Sequence, residues 1–283
     1  MDGPVLTSAP VESLWRLEPV GPGRFHGWCR DGPLQRIFGG QVAAQALAAA
    51  GAALASDWCP RSLHAYFVRE GRSAQPVEYR VEPVETEDPA VRLFRVTASQ
   101  AERPILVLDA SYGRVEGGWP RPALPADADG AAALWVPTDD EARWLADRAR
   151  RVRFDFRFVD PPSTLAGRRG EVSLGQRFWF RTTGPLPDEG RHHACALTYA
   201  SDLFLVSTAL ARHGLPGGRS DIQAATIDHA IWFHHPVRAD GWLSYEQDSP
   251  SSAGGRGLAT GRIVDPAGQL AASVRQEVLL RLG

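Results

Sequence analysis

The chain has 283 residues, of which 43% are hydrophobic and 23% charged, with a formal net charge of −2. That balance belongs to a soluble globular protein with room for two domains and excludes disordered and fibrous classes, while the near-neutral charge leaves no footprint for nucleic acid or an anionic membrane. All 31 basic residues are arginine, so a Walker-type phosphate loop and a pyridoxal-phosphate Schiff base, which both need lysine, are excluded as well.

No basic segment followed by an apolar run marks a secretory signal near the N-terminus. The first strong element is "FGGQVAAQALAAAGAALA", starting at Phe38. It is apolar or small on every side apart from its glutamines and too short to span a bilayer, so it reads as a helix that other elements surround. Strand-like runs follow: "SLHAYFVRE", "VEYRVEPVE", "LFRVTASQ" and "ILVLDASYGRV". Next, "PRPALPADADGAAALWVPTDDEARW" reads as a linker with a short helix. The basic run "DRARRVRFDFR" reads as the opening strand of a second unit with a solvated face.

A second helix is expected over "YASDLFLVSTALARHG", with Ser201 or Asp202 as N-cap and Gly214 as C-cap. Four more strand-like runs follow it: "QAATIDHAIWFHH", "WLSYEQDS", "GLATGRIV" and "LAASVRQEVLLR". The same order thus occurs twice. His64-Ala65-Tyr66-Phe67 and His229-Ala230-Ile231-Trp232 lie at matching points, 165 residues apart (229 − 64), which reads as an internal duplication. The expected division is a first repeat over 1–118, a linker over 119–147 and a second repeat over 148–283. The fold class is α+β, with each repeat an antiparallel sheet wrapped around a long apolar helix, an arrangement called a double hot-dog.

Three residues carry chemical interest. Asp202 at a helix start is an ordinary N-cap on position alone. Gln276 interrupts the apolar face Ala272, Val274, Val278, Leu280 of the last strand. A buried amide without partners costs on the order of 1–3 kcal/mol, so it must meet either a structural hydrogen bond or a held polar group. Thr226 is an ordinary strand residue, although the alternation around Thr226 and Asp228 signals a bend or bulge. The histidines of "IDHAIWFHHP" alternate in direction on a strand, which does not suit a zinc site, so no metal is expected. His229 and His64 read as hydrogen-bonded core residues. His192 and His193 read as residues on the surface or at a helix start. Three cysteines at wide spacing, Cys29, Cys59 and Cys195, argue for a reducing, cytoplasmic setting.

The motifs "IFGGQVAAQAL", "LHAYFVREG", "GPLPD", "YASDLFL", "ATIDHAIWFHHP" and "GRGLATGRIVDPAGQLAASVRQEVLLR", in this order, make the chain resemble the type II acyl-CoA thioesterase family over nearly its whole length. The resemblance implies hydrolysis of acyl-CoA without cofactor, by water held between Asp202, Thr226 and Gln276. It further implies substrate contacts at Phe38, Gly39, Gly40, Gln41 and His64. Gln41 is expected at the position equivalent to Asp202, leaving one active site per chain. Two departures stand out: "ETEDPAVRLF" replaces the family's Arg-Asp-Gly-x-Ser-Phe-like turn, and His235 replaces an arginine. An acyl-ligand binder with little turnover is the alternative, and a hydratase on the same fold is a more distant one. Acyl-CoA is the expected partner, without nucleic acid or membrane insertion, and assembly into a homo-oligomer stays open.

Overall fold

The computed structural model describes residues 9–29, 36–114, 134–216 and 221–282. Helix α1 (Gly39–Gly51) is buried along nearly its whole length. Its alanines leave little bulk on any side, so neighbours close in from every direction. The fully buried Gln45 donates from Nε2 to the Leu14 and Trp28 carbonyls and accepts at Oε1 from the Tyr79 hydroxyl, at 2.6 Å, and from Cys29 Sγ. An amide satisfied this fully ties the 3-10 turn Val11–Trp15 and the hairpin β1 (Leu17–Gly21) and β2 (Arg24–Gly27) to the helix.

The strands of the first half are β3 (Trp58–Phe67), β4 (Val77–Val84), β5 (Val91–Gln100) and β6 (Arg103–Arg114). Then come α2 (Asp139–Val152), β7 (Phe154–Phe158), α3 (Ser163–Arg168) and β8 (Gly175–Thr182). The remainder is α4 (Gly190–Ser201), α5 (Leu205–Ala211), β9 (Ile222–Thr226), β10 (Asp228–Phe233), β11 (Leu243–Ala253), β12 (Arg256–Val264) and β13 (Leu270–Leu282). Twelve strands form one continuous antiparallel path, β1-β2-β4-β5-β6-β3-β10-β13-β12-β11-β8-β7, with β9 pairing beside β13. Its two halves meet where β3 pairs with β10, and α1 and α4 pack against each other inside the curve of the sheet. This is the double hot-dog expected from the sequence.

The repeat differs from expectation by one residue, and the difference decides which way side chains face. Val77 opens β4 and Leu243 opens β11, an offset of 166 (243 − 77), and the same offset carries β3 onto β9 and β10, and β6 onto β13, within two residues. Pairing His64 with His229 at 165 therefore matches residues on opposite faces, because successive strand residues alternate. His229 is fully buried, whereas the His64 side chain is 46% exposed on the outer face.

The second helix also differs. It starts at Gly190, taking in His192 and His193, and breaks at 202–204 before α5 resumes. Asp202 is thus the C-cap of α4, and Phe204 turns the chain at φ 70°. A phenylalanine in this left-handed region is strained. It is pinned there by edge-on contacts with Phe156, Phe158 and Phe178. At the other end, Gly214 has φ 64°, and it follows a turn after Ala211.

Of the expected linker, 119–133 lies outside the described residues. Its remainder enters α2, whose Thr138 N-cap forms a reciprocal capping box with Glu141. The basic run "DRARRVRFDFR" is consequently half helix, and only its end opens β7.

Candidate active site

Asp202, set by the break between α4 and α5, points across to the other repeat. Its Oδ2 accepts the Gly40 backbone N–H at 2.7 Å. α1 has no cap from its own Phe38, so Asp202 supplies the acceptor its first turn lacks and meets the positive end of the helix macrodipole. The expected N-cap role exists, but for the helix of the opposite repeat. Two glycines make the approach close enough. A Cβ on Gly39 would sit 3.0 Å from Asp202 Oδ2 and 3.0 Å from the Phe67 ring. A Cβ on Gly40 would sit 2.7 Å from both the Tyr199 carbonyl and the Phe38 ring.

Gln276 arrives from β13 on the apolar face the sequence indicates, with Ala272, Val274 and Val278 likewise fully buried. Thr226 comes from the end of β9. The chain bends at Ile227, whose N–H bonds to the Glu277 carbonyl and whose carbonyl accepts from Phe67, which is the irregularity the alternation signalled. Gln276 Nε2 donates to Thr226 Oγ1 at 3.1 Å and its amide also hydrogen-bonds Asp202. The three residues therefore meet.

His229, which the sequence left as a core residue, and Ser201, which it offered only as an N-cap, fix the direction of that amide. Burial lowers the His229 pKa to about 4, so the ring is neutral at pH 7 and has one N–H. Nδ1 lies 2.7 Å from Gln276 Oε1, an acceptor only, so that N–H belongs on Nδ1, and the bare Nε2 lies 2.7 Å from Ser201 Oγ, whose hydroxyl is shared with the Thr198 carbonyl at 2.9 Å. With Oε1 committed to His229, the Gln276 NH2 is turned toward Thr226 and Asp202. Replacing His229 with Leu is expected to lower kcat about 10²-fold with KM nearly constant, since small misplacements near reacting atoms carry penalties of that order. Steady-state kinetics with His229→Gln as the conservative control checks this; an unaltered kcat in the Leu variant rules out positioning.

Burial raises the Asp202 pKa from 3.8 to about 7, against the lowering effects of the Gly40 N–H, the Gln276 amide and Arg148. Arg148 belongs to the basic run on α2. Its guanidinium packs over the Phe204 ring at 5.1 Å, and burial works against its own charge. Nothing in the local sequence distinguished it from its neighbours, because its environment comes from Phe204 at the break before α5, 56 residues further on (204 − 148).

Of the expected substrate contacts, Gly39 and Gly40 adjoin Asp202, and Phe38 packs beside Gly40 with its ring 4.9 Å from that of Tyr199. Gln41 turns away, its Nε2 donating to the Leu14 carbonyl at 2.9 Å. His64 faces outward against Asp228 at 3.2 Å. Neither joins the site. The other two histidines of the motif also part, His234 to Ser273 Oγ and His235 to Asp265 and the Leu270 carbonyl. Nor is Gln41 the counterpart of Asp202. Aligning the starts of α1 and α4 at Gly39 and Gly190 sets Gly51 opposite Asp202, and the strand offset of 166 sets Pro60 opposite Thr226 and Ala110 opposite Gln276. None of these three can accept a proton, so the second half alone carries the trio.

Residues 149–279 match the acyl-CoA thioesterase family and residues 27–113 match the acyl-CoA thioesterase N-terminal domain. Acyl-coenzyme A thioesterase 8 of Mus musculus is 32% identical, covering 98% of this chain and 90% of its own. Acyl-CoA thioesterase 2 of Haemophilus influenzae is 33% identical, covering 95% and 96%. Among solved structures, acyl-CoA thioesterase II TesB2 from Mycobacterium marinum is 36% identical with a TM-score of 0.76, covering 97% of this chain and 99% of its own.

Proposed function

Because the chain belongs to the acyl-CoA thioesterase family, we propose that Asp202, Thr226 and Gln276 hold the water that cleaves its substrate. The reaction converts acyl-CoA and water to a free acid and coenzyme A. The observation that carries the assignment is the convergence of a carboxylate of pKa about 7, an oriented amide and a hydroxyl at the start of α1.

A thioester carbonyl is electrophilic enough to be attacked by an oriented water. Asp202 takes a proton from that water as the C–O bond forms, and the proton is then passed to sulfur as the C–S bond breaks, so coenzyme A leaves as the thiol. The Gln276 amide and Thr226 hydroxyl fix the water, and the positive end of α1 favours the developing oxyanion. General-base assistance of this kind is typically worth roughly 10²–10⁴-fold. A single turnover in H2(18)O tests direct attack: the label is expected in the released acid and none in the peptide carrying Asp202. Label in Asp202 would mean that the carboxylate attacks the carbonyl itself and that water attacks the resulting anhydride.

The reading extends to setting. Cys29, Cys59 and Cys195 are free, which supports a reducing, cytoplasmic location. The stretch Gly190–Ala211 is long and apolar enough to cross a membrane but is 89% buried in the fold, which supports a core role without insertion. We place the two repeats at 1–118 and 148–283, joined by 119–147, with turnover confined to the second. A homo-oligomer is compatible with the exposed Tyr66 and Trp232 on the outer face of the sheet.

A further inference from the structure

The duplication that leaves Gly51, Pro60 and Ala110 opposite the trio also leaves a cavity there. About 370 Å³ of space is lined by Gly51 and Pro60, the positions that match Asp202 and Thr226 of the other half, together with Ala52. In the active half the N-terminal end of α1 meets Asp202. Here the N-terminal end of α4 meets the C-terminal end of α1, contributing Arg191, His192 and Cys195 to the wall. The rest is mainly apolar: Leu47, Ala48 and Tyr112, closed by Trp15 and Phe25 from the N-terminal segment, with Trp15 Nε1 donating to His192 Nδ1 at 3.3 Å. The volume lies within the range of ligand pockets, roughly 300–1,000 Å³.

Two charged features set the head group. Arg16 and Arg191 line the cavity, so an anionic ligand is accommodated. Glu12 lines it too, and its Oε2 is buried with no hydrogen-bond partner among the described residues. An acceptor of that kind repels a fatty carboxylate but suits the amide N–H groups of a pantetheine arm.

We propose that this cavity is a second acyl-CoA site that binds without hydrolysis. It takes the acyl chain among Leu47, Ala48 and Tyr112 and the amide-bearing arm against Glu12, and it does not turn over because Gly51, Pro60 and Ala110 stand where the other half has Asp202, Thr226 and Gln276, so the trio that holds the water is missing. The inference rests on the active site proposed above, since it is located by that site's symmetry mate.

Calorimetric titration with the non-hydrolysable thioether S-octyl-CoA is expected to give two equivalents per chain for the wild type and one for Ala48→Trp, with thiol release from octanoyl-CoA unchanged. An aromatic at this place has a precedent, because Tyr199 occupies the matching position of α4. Should Ala48→Trp fail to fold, Ala48→Leu is expected to weaken the second equivalent at least about tenfold by occupying the volume of several methylenes. One equivalent in the wild type, or a second equivalent that neither variant moves, overturns the site. Octanoate filling the second equivalent as tightly as the thioether overturns the assignment of the head group. Failure of the catalytic reading would appear separately, as wild-type protein that releases no thiol.

Discussion

Asp202→Asn is expected to abolish most thiol release and, at the same time, to make the protein more stable relative to wild type as pH rises. The loss of turnover should be about 10²–10⁴-fold, the range removed when a general base becomes an amide that cannot accept the proton. In the wild type kcat/KM should rise with pH through about 7, where the carboxyl ionises, and then level off. The stability effect follows from the same shift. The folded pKa, about 7, lies above the unfolded value near 3.8, so the folded state binds the proton more tightly. The stabilisation this confers is fully present below about pH 4 and is lost as pH rises through 7. A shift of about three units corresponds to at most about 4 kcal/mol, and the Asn variant lacks it. Thermal melts of both proteins from pH 5 to pH 8 check the sign: the wild-type Tm should fall against that of the variant. A difference in Tm that stays flat with pH would show that the carboxyl is not held near neutrality, and undiminished thiol release would remove Asp202 from the reaction.

Much of the architecture is legible in the sequence because the dominant signals are local. Alternation located β3 to β6 and β10 to β13, and the all-round apolar character of α1 required it to be enclosed. What failed to be legible was set by distant chain. The good N-cap types Ser201 and Asp202 suggested a helix start, yet the helix was already eleven residues old at Ser201 (201 − 190), because buried aromatics hold Phe204 in a left-handed conformation and break it there. The carboxylate still caps a helix, but the partner is Gly40, 162 residues earlier (202 − 40). The Gln276 anomaly pointed correctly to a buried polar contact, while the identity of that contact, His229, required the register of two strands. A one-residue error in matching the repeats was enough to pair His64 with His229 and to conceal that they face opposite sides of the sheet.

Gln276→Met offers the sharpest test of whether the trio works as a unit, since the side chain keeps its length and loses both polar ends. The expected result is a fall in kcat of about 10²–10³-fold, comparable to removing a preorganised donor from a hydrolytic site. Two further effects distinguish this from a loss of packing. Asp202 loses an amide that favours its ionised form, so the pH at which kcat/KM reaches half its plateau should move upward. His229 Nδ1–H also loses its acceptor, and an orphaned buried donor of this kind costs on the order of 1–3 kcal/mol, which a urea titration can read. The decisive measurement is the double variant. If Gln276 acts by orienting the same water that Asp202 deprotonates, then in an Asp202→Asn background the amide has little left to orient, and adding Gln276→Met should lower kcat far less than it does alone. Penalties that simply multiply would mean that the two side chains contribute independently, and the hydrogen-bonded chain from Ser201 through His229 to Thr226 would then be a structural network rather than the scaffold of a water site.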